Sequence, residues 1–202
     1  TSGSLSFGDA VTLGASTTLT ANSISTATAA TFTMGSYNLT LTTDDITLAG
    51  AMGGTGTVTI QPRTASTSMG VAGAAGTLAL STAELDLISN GFAMINLGSL
   101  SGTGKVTVAA YTFNDHVSLR SAGASSSGIE FTGAVSVGSN NLTLNTTGNV
   151  TQASGASITA AGRSGNAATT SAGPFRSTLR PSTSLASMGP PAATAARASR
   201  VA

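Results

Sequence analysis

Gly35-Ser36-Tyr37-Asn38-Leu39-Thr40-Leu41 holds the grammar of this chain: turn-forming residues, then an apolar–polar–apolar triplet. The phrase returns 103 residues later as Gly138-Ser139-Asn140-Asn141-Leu142-Thr143-Leu144. Alternation at period two marks a strand with one buried face, because successive side chains of an extended backbone point to opposite sides. Both leucines of Leu39-Thr40-Leu41 are therefore expected inward and Thr40 outward. Thr suits that place, since β-branching favours extended backbone and the hydroxyl faces water without cost.

Working outward, the triplet recurs as Val11-Thr12-Leu13, Ile46-Thr47-Leu48, Val58-Thr59-Ile60, Leu78-Ala79-Leu80, Val106-Thr107-Val108, Val117-Ser118-Leu119 and Val135-Ser136-Val137. Gly, Asn and Ser fall between the triplets, where a chain that turns needs residues tolerant of positive φ. A second phrase, Gly54-Thr55-Gly56-Thr57-Val58-Thr59-Ile60, returns 48 residues on as Gly102-Thr103-Gly104-Lys105-Val106-Thr107-Val108. The two offsets share no period, so loops change length while the strand phrase is kept, as in a solenoid. The expected fold is all-β: a parallel β-helix (β-solenoid) with about three short strands per coil. At about 20 residues per coil and about 4.8 Å per strand spacing, residues 1–162 would make roughly 8 coils and a rod of about 40 Å.

Composition agrees with a thin, stacked core. Only 7% of residues are charged, against about 25% in an average soluble domain. Aromatics are 4% with no Trp, too few for a core of large rings or for the girdles of a transmembrane barrel. Residues 1–162 hold three basic side chains (Arg63, Lys105, Arg120) and all seven acids, whereas residues 163–202 hold five Arg, no acid and four of the five Pro. The triplet phrase stops after Ile158, so 163–202 is expected to be an Ala/Ser/Pro/Arg-rich tail outside the repeat fold. A change this abrupt near Gly162 is what a shift of reading frame would produce. With no basic cluster in the repeat region, nucleic-acid binding is not expected. The absence of Cys removes a disulfide framework and thiolate metal sites. No leader precedes the repeats, and the chain reads as a piece of a longer protein.

Some β-helix proteins cleave polysaccharides, which takes converging carboxylates, a base or Ca²⁺. Here the acids Asp9, Asp44, Asp45, Glu84, Asp86, Asp115 and Glu130 are scattered. Asp44-Asp45 is the one adjacent pair, and it reads as a turn after Leu39–Leu41. The sole His, His116, lies between Asp115 and Arg120, but it and Arg120 straddle a strand phrase rather than line a cleft. No G-x-S-x-G elbow accompanies them. Gly53-Gly54-Thr55-Gly56 lacks the Lys of a phosphate loop and reads as a turn into a strand. The N-x-[ST] sequences at Asn38, Asn141, Asn145 and Asn149 read as strand grammar rather than glycan sites. Thr18-Leu19-Thr20, Thr31-Phe32-Thr33, Thr40-Leu41-Thr42 and Thr57-Val58-Thr59 begin 13, 9 and 17 residues apart. An ice-matching lattice needs equal spacing, so none is expected. No catalytic, cofactor-binding or metal-ligating residue is assigned.

Gly76-Thr77-Leu78-Ala79-Leu80-Ser81-Thr82-Ala83-Glu84-Leu85-Asp86-Leu87-Ile88 resembles the TLxLxxAELDxI phrase of large bacterial exoproteins of the filamentous-haemagglutinin type. Ile95-Asn96-Leu97-Gly98 and Gly104-Lys105-Val106-Thr107-Val108 then stand where that family has a Gly-rich strand. Leu142-Thr143-Leu144-Asn145-Thr146-Thr147-Gly148-Asn149-Val150-Thr151-Gln152 is similar to its LTLxTxGxIT phrase. The resemblance covers about residues 35–162. It implies a right-handed parallel β-helix on the outside of a Gram-negative cell, exported through an outer-membrane secretion partner and serving adhesion, aggregation or biofilm. The matched phrases are structural, which makes Glu84 and Asp86 part of a corner, and no functional residue is carried over.

The expected function is that of a structural shaft segment of a secreted surface adhesin, with host or matrix glycans or proteins as partners. The alternatives are an extracellular filament or matrix protein that self-associates through its coil ends, where strand edges stay unpaired, and a carbohydrate-active β-helix enzyme.

Overall fold

The structure is a computed structural model that describes residues 3–165 and 168–169. The alternating triplets become strands throughout. The first coil comprises β1 (Ser4–Phe7), β2 (Val11–Thr12) and β3 (Thr17–Thr20). The second comprises β4 (Ser23–Thr26), β5 (Phe32–Thr33) and β6 (Leu39–Thr42), and the third β7 (Asp45–Thr47), β8 (Met52–Gly53) and β9 (Thr57–Gln61). Each strand pairs in parallel with its counterpart one coil on, β1 with β4 with β7 and likewise on the other two faces. Three strands per coil thus build three stacked sheets, the β-solenoid expected from the alternation.

The fourth coil departs from the pattern. β10 (Met69–Val71) is followed, after the six residues 72–77, by β11 (Leu78–Leu80), which pairs with it in parallel and packs against β7. Parallel neighbours ordinarily need a crossover of about a dozen residues. Here the chain reverses through Ala72 at φ 60° and Gly73 at φ 81° and passes directly over its own strand. Gly76 crosses Gly70 so closely that a Cβ on either would strike backbone of the other segment. A helical turn, α1 (Thr82–Asp86), and a bridge from Ile88 to Met52 then lead into β12 (Met94–Ser99).

Regular coils resume with β13 (Val106–Val108), β14 (Tyr111–Thr112) and β15 (Val117–Ser121), then β16 (Ile129–Phe131), β17 (Val135–Ser136) and β18 (Asn141–Thr146). β19 (Asn149–Gln152), β20 (Ile158–Thr159) and β21 (Gly162–Gly165) form the seventh, and β22 (Ala168–Thr169) pairs onto β19. The longest sheet runs β3-β6-β9-β12-β15-β18-β21. Its seven strands span about 30 Å. The roughly eight coils expected become seven because one is long: Leu39 pairs with Val58 19 residues on, but Val58 pairs with Ile95 37 residues on. The doubled strand and α1 take up the excess. Pairing continues past residue 162, through Gly165 and again at Ala168–Thr169. Residues 170–202, on which the expectation of a tail rests, lie outside the described residues.

The core is a set of aliphatic rows. On the inner side of the long sheet, Leu39, Val58, Ile95, Val117 and Leu142 stack in register, and so do Leu41, Ile60, Leu97, Leu119 and Leu144. Val58, Ile60, Leu97, Val117 and Leu119 are fully buried. Val71, Leu80, Val108 and Phe131 meet them from the sheet opposite, and Phe32, Met52 and Phe113 from the third face. Truncating one such Leu to Ala costs about 2–5 kcal/mol, so the rows rather than any ring cluster hold the coils together.

Candidate functional site

The outer side of the long sheet carries a polar row that runs through every coil. Its central row is Thr18, Thr40, Thr59, Asn96, Ser118, Thr143 and Ser164, one residue per coil in register. Beside it Thr20, Thr42 and Gln61 align, followed by Gly98, Arg120 and Asn145. Neighbouring rungs bond to one another: Gln61 Nε2 donates to Thr42 Oγ1 at 3.0 Å and Asn96 Nδ2 to Thr59 Oγ1 at 3.0 Å. Arg120 Nε and Asn145 Nδ2 both donate to Ser118 Oγ, at 3.2 and 3.4 Å.

Register rather than sequence spacing decides which Thr-x-Thr phrases meet. Thr18-Leu19-Thr20 and Thr40-Leu41-Thr42 lie side by side although their sequence spacing matches no lattice, because corners of unequal length absorb the difference. The array ends after two strands, since Thr59 aligns with Thr40 but Gln61 with Thr42, and Thr31-Phe32-Thr33 lies on another face.

The border of the same sheet is held by side chains that accept backbone N–H groups of the next coil. Ser16 Oγ accepts from Asn38 N–H at 3.1 Å, Asn38 Oδ1 from Thr57 N–H at 2.8 Å, and His116 Nδ1 from Asn141 N–H at 2.9 Å. His116 thus occupies the place that Asn38 has three coils earlier. It and Arg120 bracket β15 about 13 Å apart along the strand. Asp115 does not join them; it is buried and accepts the Gly91 N–H at 2.9 Å.

Of the remaining acids, Asp9 is exposed in the corner before β2, and most of the others are engaged in the fold. Asp44 lies in the corner between β6 and β7, where Oδ1 accepts the N–H groups of Arg63 and Thr64 and Oδ2 the Thr64 hydroxyl. Partial burial pushes the Asp44 carboxyl up, but the hydrogen bonds from Thr64, Thr67 and Arg63 outweigh it and hold the group below its ordinary 3.8. Its neighbour Asp45 begins β7 and is exposed. Glu84 closes a capping box on α1, with Oε2 accepting the Ser81 N–H at 2.8 Å and Ser81 Oγ accepting the Glu84 N–H at 3.2 Å. Its other oxygen accepts the Leu48 N–H at 3.0 Å, tying the helix to the coil below. Asp86 accepts the Tyr111 hydroxyl at 2.8 Å; burial, then this bond and the negative charge, push the phenol well above its usual range. Glu130 pairs with Lys105 on the sheet containing β13 and β16.

Among the described residues no group of three or more His, Cys, Asp or Glu could hold a metal ion. Asn38, Asn145 and Asn141 sit in the rungs just described, and Gly53-Gly54-Thr55-Gly56 turns between β8 and β9. No family model, no curated protein and no solved structure matches this chain. Sequence reading missed the grouping of Asn96, Gly98, Arg120, Asn145 and Gln61. Each is unremarkable in its own strand phrase, and only the parallel register sets them side by side.

Proposed function

We propose that this chain is a non-enzymatic shaft segment of a secreted bacterial surface adhesin, making distributed contacts with glycans or matrix proteins. The observation that carries this reading is the long sheet's outer face, a row of hydroxyl and amide side chains in register, open to solvent at Thr18, Thr40 and Thr143 and buried at Thr59, Asn96 and Ser118. The accessible rungs and the half-exposed Gln61, Arg120 and Asn145 beside them offer several weak hydrogen bonds spread over different coils, which suits adhesion better than turnover. The haemagglutinin-like phrases at residues 76–88 and 142–152 support the same reading.

A self-assembling filament is the second reading, favoured by the first coil. Among the described residues, strands β1, β2 and β3 each pair on one edge only, and Leu5, Phe7, Val11, Leu13 and Leu19 are only partly covered. Another coil of the same grammar would cover them by strand addition. One experiment separates the two: binding of the purified chain to an array of glycans and matrix proteins, with size-exclusion chromatography at several concentrations. The adhesin reading predicts saturable binding by a monomer. Growth of oligomers with concentration, without ligand binding, would replace it by the filament.

A further inference from the structure

Arg120 is the one basic side chain in the strands of the long sheet's polar face whose contacts are described, and among the described residues it has no anionic partner. All seven acids of the chain lie among the described residues, and the ion pair found there joins Lys105 to Glu130 on another sheet. The guanidinium is partly buried, and that burial lowers its pKa. Its Nε is held by Ser118 Oγ, which fixes the fork and leaves the terminal nitrogens without a carboxylate. A desolvated cation without a counter-ion is costly, so such a group is usually matched by an anion when the surface is in use.

Three neighbours shape what that anion would be part of. Gly98 lies beside Arg120 in register, with φ 93°, and no side chain fits there because a Cβ would strike the Arg120 carbonyl. The row of side chains therefore has a gap between Gln61 and Arg120. On the near flank Asn96 is 4% exposed; its Nδ2 is bonded to Thr59, and its Oδ1 is a buried acceptor with no donor. On the far flank stand the amide of Asn145 and the hydroxyl of Thr143. A fixed guanidinium beside a gap, framed by neutral amides and hydroxyls, matches a carboxylate carried on a polyhydroxylated ring.

We propose that the half-exposed outer face of β9, β15 and β18 is a binding subsite for an acidic polysaccharide, with a uronate carboxylate on Arg120 and sugar hydroxyls on Gln61 and Asn145, the buried Asn96 being a neighbour of the subsite rather than a contact. This deepens the adhesin reading and rests on it, in that the face is taken as a contact surface. An acidic peptide would also satisfy Arg120, but it offers few hydroxyls to the surrounding amides.

The test is a titration of the full-length, ¹⁵N-labelled chain with trigalacturonate, followed at the Arg120 Nε–H and at the side-chain amides of Gln61 and Asn145. Saturable shifts at these three positions are expected. Arg120→Gln should weaken binding roughly 10- to 100-fold as read at the two amides, and Lys105→Gln should leave it unchanged. Thermal melting of each variant checks that it is folded. As Arg120→Gln keeps the stem and an amide, Arg120→Lys is the second variant, keeping charge and losing the fork; it too should weaken binding. The proposal is overturned if the shifts are confined to the Arg-containing residues 163–202, if triglutamate produces them as strongly, or if folded Arg120→Gln binds as before. Trimaltose is the neutral arm: shifts at the same amides with trimaltose and not with trigalacturonate would keep the contact surface and sink the acidic specificity. Silence from both sugars would count against the adhesin reading of this face as well.

Discussion

His116 and Asn38 perform the same task with different side chains, each accepting the backbone N–H of the residue one coil on. The rung asks for an acceptor at that point, not for an imidazole. His116→Asn should therefore keep the stability of the native chain, while His116→Ala should lose about 1 kcal/mol in urea unfolding, the worth of one such bond. An equal loss in both variants would show that the ring does something the rung does not require. Asp44 gives a pH-dependent counterpart. Its carboxyl is held below 3.8 by hydrogen bonds in the folded state, so the stability it contributes is present above that value and is lost as pH falls through the folded pKa. The melting-temperature difference between the native chain and Asp44→Asn should shrink as pH is lowered from 6 to below about 4. A difference that stays constant across that range would contradict the assignment. Neither role was legible in the sequence: Asp44-Asp45 announced a turn, but the partners Arg63 and Thr64 come from the next coil.

Strands were the most legible elements, because period-two alternation needs no knowledge of partners. Leu39-Thr40-Leu41, read as in–out–in, is buried at both leucines and half-exposed at Thr40. The exception lies between residues 69 and 88. Leu78-Ala79-Leu80 carries the ordinary phrase, yet it forms an extra strand wedged beside β10, a placement made possible by Gly70 and Gly76 rather than by the triplet. Glu84 and Asp86, spaced to share a face if extended, instead sit on a helical turn, because Ser81 and Glu84 satisfy the capping box and so start a helix. Ser81→Ala should cost about 1 kcal/mol and fray the segment joining α1 to the β7 corner. Faster amide exchange at Glu84 and Leu48, with exchange in β15 and β18 unchanged, is the expected pattern. Uniform acceleration over the whole chain would mean that α1 is not a local clasp but part of the cooperative core.

Seven coils in parallel register turn a one-dimensional repeat into a two-dimensional surface. A position that looks weak in sequence, such as Thr40 or Asn96, becomes one rung of a row about 30 Å long. Inward rows set stability, because each coil is buried by its neighbours. Outward rows would supply contact under the proposed function, and their alignment was hidden in the sequence because loops of unequal length disguise it. The acids show the same division: they were scattered along the chain, and the fold keeps them scattered, in corners, caps and one ion pair. The central claim is that this rod acts by holding a partner and not by transforming one. The measurement that tests it most directly incubates the folded monomer with polygalacturonate and follows polymer retained and new chain ends in the same samples. The account predicts saturable retention with no new ends over time. Steady appearance of new ends, scaling with protein concentration, would contradict it and make the chain an enzyme.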